Sequence, residues 1–137
     1  MGNITNKNYF IINGLIPKYN GFSKGFLTLY YLSFKDEISC NIQMAFRQVR
    51  IENIKNKDQF NNFLKNHKLY NLADKMIDID ILSYWNEIVR EIVRECNDID
   101  LIHELDIKNL DEFLTKTSLF IKKAGREYKR RLSKIFI

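Results

Sequence analysis

The chain has 137 residues, 45% of them hydrophobic and 13% aromatic, with 22 Lys and Arg against 17 Asp and Glu for a formal net charge of +5. That length suits one domain spanning residues 1–137 around a single core, and the aromatic content argues against a disordered chain. No apolar run reaches about 18 residues, so no membrane-spanning helix is expected.

The N-terminal stretch MGNITNKNYF has no apolar signal core, and Asn6 stands where a myristoylation signal wants Ser or Thr. Cys40 and Cys96 fall in neither a metal-binding spacing nor a disulfide framework. They read as buried thiols in a reducing, cytoplasmic compartment.

Pro17, Gly14, Gly21 and Gly25 lie in the first 25 residues, and the rest of the chain holds one glycine and no proline. Because these are the main helix breakers, the pattern predicts an all-α chain. A short first helix is expected over 6–15, followed by a turn at Pro17–Gly21. A second helix is expected from Ser23, its cap, to Ile54. Its stripe is Phe26, Tyr30, Phe34, Ile38, Ile42, Ala45 and Val49. The polar run NIKNKDQFNN is the expected interruption.

A third helix is expected over Gln59–Asn97, with a possible break at Asn66-His67. Its stripe includes Leu69, Leu72, Ala73, Met76, Ile79, Leu82 and Trp85. Trp85 lies on that stripe and reads as core. The last helix follows Asp106, a candidate cap, and carries Leu110, Leu114, Thr117, Ile121, Ala124, Tyr128, Leu132 and Ile135 on one side. Three long amphipathic helices and a short one predict an antiparallel four-helix bundle.

Residues 121–136, IKKAGREYKRRLSKIF, hold seven basic side chains and one acid. On a helical wheel Lys122, Lys123, Arg126, Lys129, Arg130 and Lys134 share one face opposite the apolar set, with Arg131 at its edge. Cations near a helix C-terminus complement its dipole, but one or two would serve that purpose. A solubility face is the plain alternative. The functional reading is a ridge for the phosphate backbone of RNA or DNA, since clustered Lys and Arg bind by releasing counterions. Arg90 and Arg94 are weaker candidates for the same role. Residues 95–112 hold seven acids and one base, so the last helix has oppositely charged ends. That polarity suits head-to-tail contact between identical subunits, or simply a dipole-favoured acidic loop.

Catalytic signatures are missing. His67, expected to be exposed, and His103 form no metal-ligand spacing, and no phosphate loop, GxSxG or CxxC occurs. Glu87-Glu91 and Glu91-Glu95 are i,i+4 carboxylates without the Glu-x-x-His of a di-iron bundle. A non-enzymatic protein with no cofactor and no metal is therefore expected.

Three stretches together carry a family resemblance. They are Ile16-Pro17-Lys18 with the helix after it, LADKMIDIDILSYWNEIVRE, and LDIKNLDEFLTKTSLFIKKAGREYKRRL with its Gly125-Arg126 pair. The chain resembles the accessory variability determinant (Avd) proteins of diversity-generating retroelements. These are four-helix bundles related to proteins encoded in ribosomal RNA intervening sequences. The resemblance implies a homo-oligomer, a pentameric barrel with a basic surface, that binds a reverse transcriptase and its template RNA without being an enzyme.

The chain departs from the family pattern in a short first helix. It also has Ser83, Asn86 and Glu87 where the family has arginines, with Arg90 and Arg94 as the local substitutes. Tyr128-Lys129-Arg130 replaces a Gly-Trp ending. Two further readings fit the same residues: a helical small subunit of a CRISPR effector complex, and a viral or phage inhibitor that binds a host protein.

Overall fold

The computed structural model of the protein describes residues 22–91 and 110–136, and among these every regular element is a helix. The helices are α1 (Phe22–Leu32), α2 (Lys35–Ile51), α3 (Lys57–Asn66), α4 (Lys68–Ile77), α5 (Ile81–Glu91) and α6 (Leu110–Leu132). None of them is long and apolar enough to cross a membrane. The expected helix over 6–15, the Asp106 cap, Arg94, Cys96 and His103 lie outside the described residues.

The single helix expected over 23–54 is two helices, with Ser23 inside α1 rather than capping it. The stripe from Phe26 to Ile42 steps strictly by four, and each such step drifts about 40° around a straight helix. One helix cannot keep that stripe on one face. The chain resets its phase at Ser33-Phe34, where Phe34 is extended at φ −68°, ψ 142°. Phe26, Tyr30, Phe34, Ile38 and Ile42 are then all buried. Cys40, expected to be buried, is exposed, because it sits across α2 from Ile38 and Ile42.

The expected helix over 59–97 is likewise divided. The break at His67 matches the expectation, and a further one falls at 78–80. There Asp80 caps α5, its carboxylate accepting from the Ser83 amide at 3.3 Å and the Ser83 hydroxyl at 2.8 Å.

The chain divides into two compact units. The first comprises residues 32–79 and 121–136. Its buried set runs through Ile38, Ile42, Ala45 and Val49 of α2, Phe60, Phe63 and Leu64 of α3, Ala73 and Met76 of α4, and Ile121, Ala124, Tyr128 and Leu132 of α6. The Tyr128 hydroxyl donates to the Leu32 carbonyl at 2.6 Å and accepts from the Asn41 amide at 3.2 Å. The carbonyl left over at the end of α1 thus finds its partner in α6.

Helix α2 ends in a Schellman arrangement. Ile54 N–H donates to the Val49 carbonyl and Asn53 N–H to that of Arg50, with Asn53 at φ 57° where glycine is usual. Asn56 then caps α3 by accepting from the Gln59 amide at 2.8 Å.

The second unit contains α1 up to Tyr31, α5, and α6 from Leu110 to Phe120. Phe26, Leu29, Tyr30, Trp85, Leu114 and Thr117 are buried in it, with Tyr30 and Phe120 rings 5.5 Å apart. Trp85 is buried, as its place on the stripe requires.

Candidate nucleic-acid interface

The C-terminal half of α6 buries one side and exposes the other. Ile121, Ala124, Gly125, Tyr128 and Leu132 are buried, while Lys123, Arg126 and Arg130 are exposed and Lys122, Lys129 and Arg131 are half-buried. Lys134 is exposed in the turn that follows the helix. The apolar spacing that makes this helix amphipathic is what turns its cations to solvent.

Gly125 sets how close α4 comes. A Cβ built there would lie 2.9 Å from the Ala73 carbonyl oxygen and the Met76 Cβ, and 3.0 Å from Ile77 Cγ1. With the two helices in that contact, Lys129, one turn on from Gly125, reaches α4. Its ammonium is 2.8 Å from the Asp74 carboxylate and 3.8 Å above the Tyr70 ring. Lys129 is therefore held within the protein fold.

Arg130 pairs with Glu127 one turn back through two guanidinium nitrogens. The Arg130 hydrogen bond holds the Glu127 carboxyl below its usual range, helped by the charges of Arg130, Arg131 and Lys123. Lys122, Lys123, Arg126 and Lys134 make no salt bridge among the described residues.

Of the six cations expected on this face, four make no salt bridge among the described residues, one is paired at the surface and one is clamped. Arg90 belongs to the second unit and pairs with Glu87 at 2.7 Å.

Charge is divided unevenly along the chain. Segments 32–79 and 121–137, which hold the first unit, carry 15 Lys and Arg against 7 Asp and Glu, a net +8. The remaining residues, 2–31 and 80–120, carry 7 against 10, a net −3. Cations outside α6 contribute to that surplus, with Arg47, Lys55, Lys57, Lys65, Lys68 and Lys75 all exposed. Reading the last helix alone missed them, because they are spread singly through α2, α3, α4 and the loop after α2.

A second feature escaped the sequence reading. Where α2 ends and α3 begins, two adjoining cavities of about 270 and 150 Å³ share Glu52, Asn62 and Phe63. His67, at the edge of the smaller one, is half-buried rather than exposed. Its ring lies 5.1 Å from that of Phe63, and its Nδ1 is buried without a partner among the described residues. Desolvation lowers the His67 pKa from the ordinary 6.5, opposed in part by the Glu52 charge. The available signal is the density of carboxamides between Gln48 and Asn71, of which only the run NIKNKDQFNN stands out in the sequence as a polar interruption. Comparison with protein-family models, with curated proteins and with solved structures finds no match.

Proposed function

We propose that the protein is a non-enzymatic accessory subunit that binds the phosphate backbone of RNA or DNA along the solvent face of α6. The observation that carries this is the set of four cations without a salt bridge among the described residues, Lys122, Lys123, Arg126 and Lys134, within a unit of net charge +8. Arg130 adds to it after exchanging Glu127 for a phosphate. Lys129 sits at the edge of the ridge and chiefly fastens α6 to α4.

A carboxylate-paired surface arginine gives up little in such an exchange, since exposed pairs contribute about 0–1 kcal/mol. Lysines and arginines on one helical face suit sequence-independent contact with phosphates rather than readout of base edges.

The reading keeps the antiparallel four-helix bundle as its scaffold, with the helical content as support, and a cytoplasmic setting. From the resemblance to the accessory variability determinant proteins it takes the larger context: a homo-oligomer working beside a reverse transcriptase on its template RNA.

The test is a salt titration of RNA binding. Neutralising Z phosphates on a single strand gives a slope of log K against log salt near −0.7Z. Lys123→Glu with Arg126→Glu should weaken binding across unrelated sequences and flatten that slope by about 1.4. Unchanged affinity and slope in this double variant would remove the α6 ridge from nucleic-acid binding.

A further inference from the structure

Carboxamides make up most of the lining of the paired cavities at the end of α2. Phe63, itself buried, forms an apolar floor common to both, and Glu52 and Asn62 stand on the shared wall. Gln59 and Asn53 line the larger cavity, Gln48 and Asn66 the smaller.

Local backbone geometry builds this wall. The Schellman turn holds Asn53 at φ 57°, and the Asn56 cap starts α3 four residues after α2 has turned away. The Gln59 side-chain oxygen is used by the Lys55 amide at 2.8 Å, which leaves its NH₂ free to donate. Asn66 donates to the Asn62 backbone carbonyl at 2.9 Å and to the Asn62 side-chain oxygen at 3.4 Å, so among the described residues the Asn62 NH₂ and the Asn66 oxygen are left to meet a ligand.

Both cavities fall below the roughly 300–1,000 Å³ of a typical small-molecule site, so each suits one ring of a longer ligand. Carboxamides and a carboxylate over an aromatic floor supply the donors and acceptors that read the edges of an unpaired base. Four exposed lysines border the same segment in sequence, Lys55 before α3, Lys57 at its start, Lys65 in its last turn and Lys68 just past its end. None of the four makes a salt bridge among the described residues. Lysines that close to the lining residues in sequence favour a polyanion over a neutral ligand.

We propose that the groove around Glu52, Asn62 and Phe63 is a base-binding subsite for single-stranded nucleic acid. In it Glu52 accepts from an exocyclic amine, the carboxamides of Gln48 and Asn62 bond the remaining edge, and Phe63 packs against the ring. The lysines hold the flanking phosphates. The proposal rests on the nucleic-acid reading above and adds base contacts to a surface otherwise read as binding backbone alone.

The experiment compares two fluorescent strands of about a dozen nucleotides, a length suited to one single-strand site. One is a mixed-sequence RNA, the other an abasic strand of the same length, and both are titrated with the full chain. The RNA should bind at least about fivefold tighter than the abasic strand, the effect of a single base contact. Gln48→Leu with Asn62→Leu, both at exposed positions, should erase that ratio without moving the thermal midpoint. Lys123→Glu with Arg126→Glu should weaken both strands and keep the ratio.

Equal, salt-sensitive binding of the two wild-type titrations overturns the subsite and leaves the α6 ridge standing. Failure of both strands to bind overturns the subsite and the ridge together.

Discussion

Gly125 and Tyr128 lie one turn apart on the buried side of α6, and each fixes a different neighbour. Gly125→Ala would gain helix propensity of about 1 kcal/mol, but its methyl group would meet a backbone carbonyl at 2.9 Å. Backbone yields less than a side-chain tip, so overpacking wins. We expect a net loss of roughly 1–2 kcal/mol in urea unfolding, with weakened Lys129–Asp74 pairing. A stabilised Gly125→Ala variant would show that α4 and α6 are not in this close contact.

Burial, partly offset by the Asn41 hydrogen bond, raises the Tyr128 phenol above its ordinary pKa. Tyr128→Phe keeps the packing and removes a hydroxyl bonded to Leu32 and Asn41, which should cost about 1–2 kcal/mol.

His67 belongs to the same scale. Its pKa is lower in the folded chain than the ordinary 6.5, so the unfolded chain binds the proton more readily. Stability is therefore full above that ordinary value and falls as pH drops through the folded pKa. Melting curves of the wild type should shift downward between neutral and mildly acidic buffer, and His67→Gln should shift less. Equal shifts in the two proteins would contradict the buried environment of Nδ1.

Among the elements, the all-helical content was legible, because 137 residues contain one proline and the glycines cluster early. Boundaries were less so. The Ser33-Phe34 break has no glycine or proline to announce it, and its stabilising bond comes from Tyr128, 96 residues away. The break at 78–80 was signalled only by Asp80 and Ser83, a weak capping pair inside an unbroken apolar stripe. By contrast the interruption after α2 was visible, because Asn53, Asn56 and Gln59 are turn and cap residues.

That turn is also an energetic element. Asn56→Ala removes the cap on α3 and should cost about 1 kcal/mol. If the urea midpoint does not move, the capping bond adds nothing to the α3 start.

At the scale of the whole molecule, charge is the organising property. The α6 ridge was readable from the sequence, because helical periodicity alone separates its cations from Ile121, Tyr128 and Leu132. The commitment of Lys129 to Asp74 and Tyr70 was not, because it depends on α4 packing against Gly125. The groove around Phe63 was hidden for a related reason, since Glu52 and Asn62 are brought together by the turn between two helices. The surplus of +8 on the first unit against −3 elsewhere is larger than the overall +5 suggests. A polyanion meeting the first unit therefore experiences a stronger field than the net charge implies.

The most direct measurement is solution mass by light scattering, with and without a structured RNA, at low and at high salt. Binding through the α6 ridge predicts a protein–RNA complex at low salt that separates into its components at high salt, with the protein alone in a defined oligomer. A mass unaffected by RNA at low salt would contradict the account and leave the basic face of α6 with solubility as its only role.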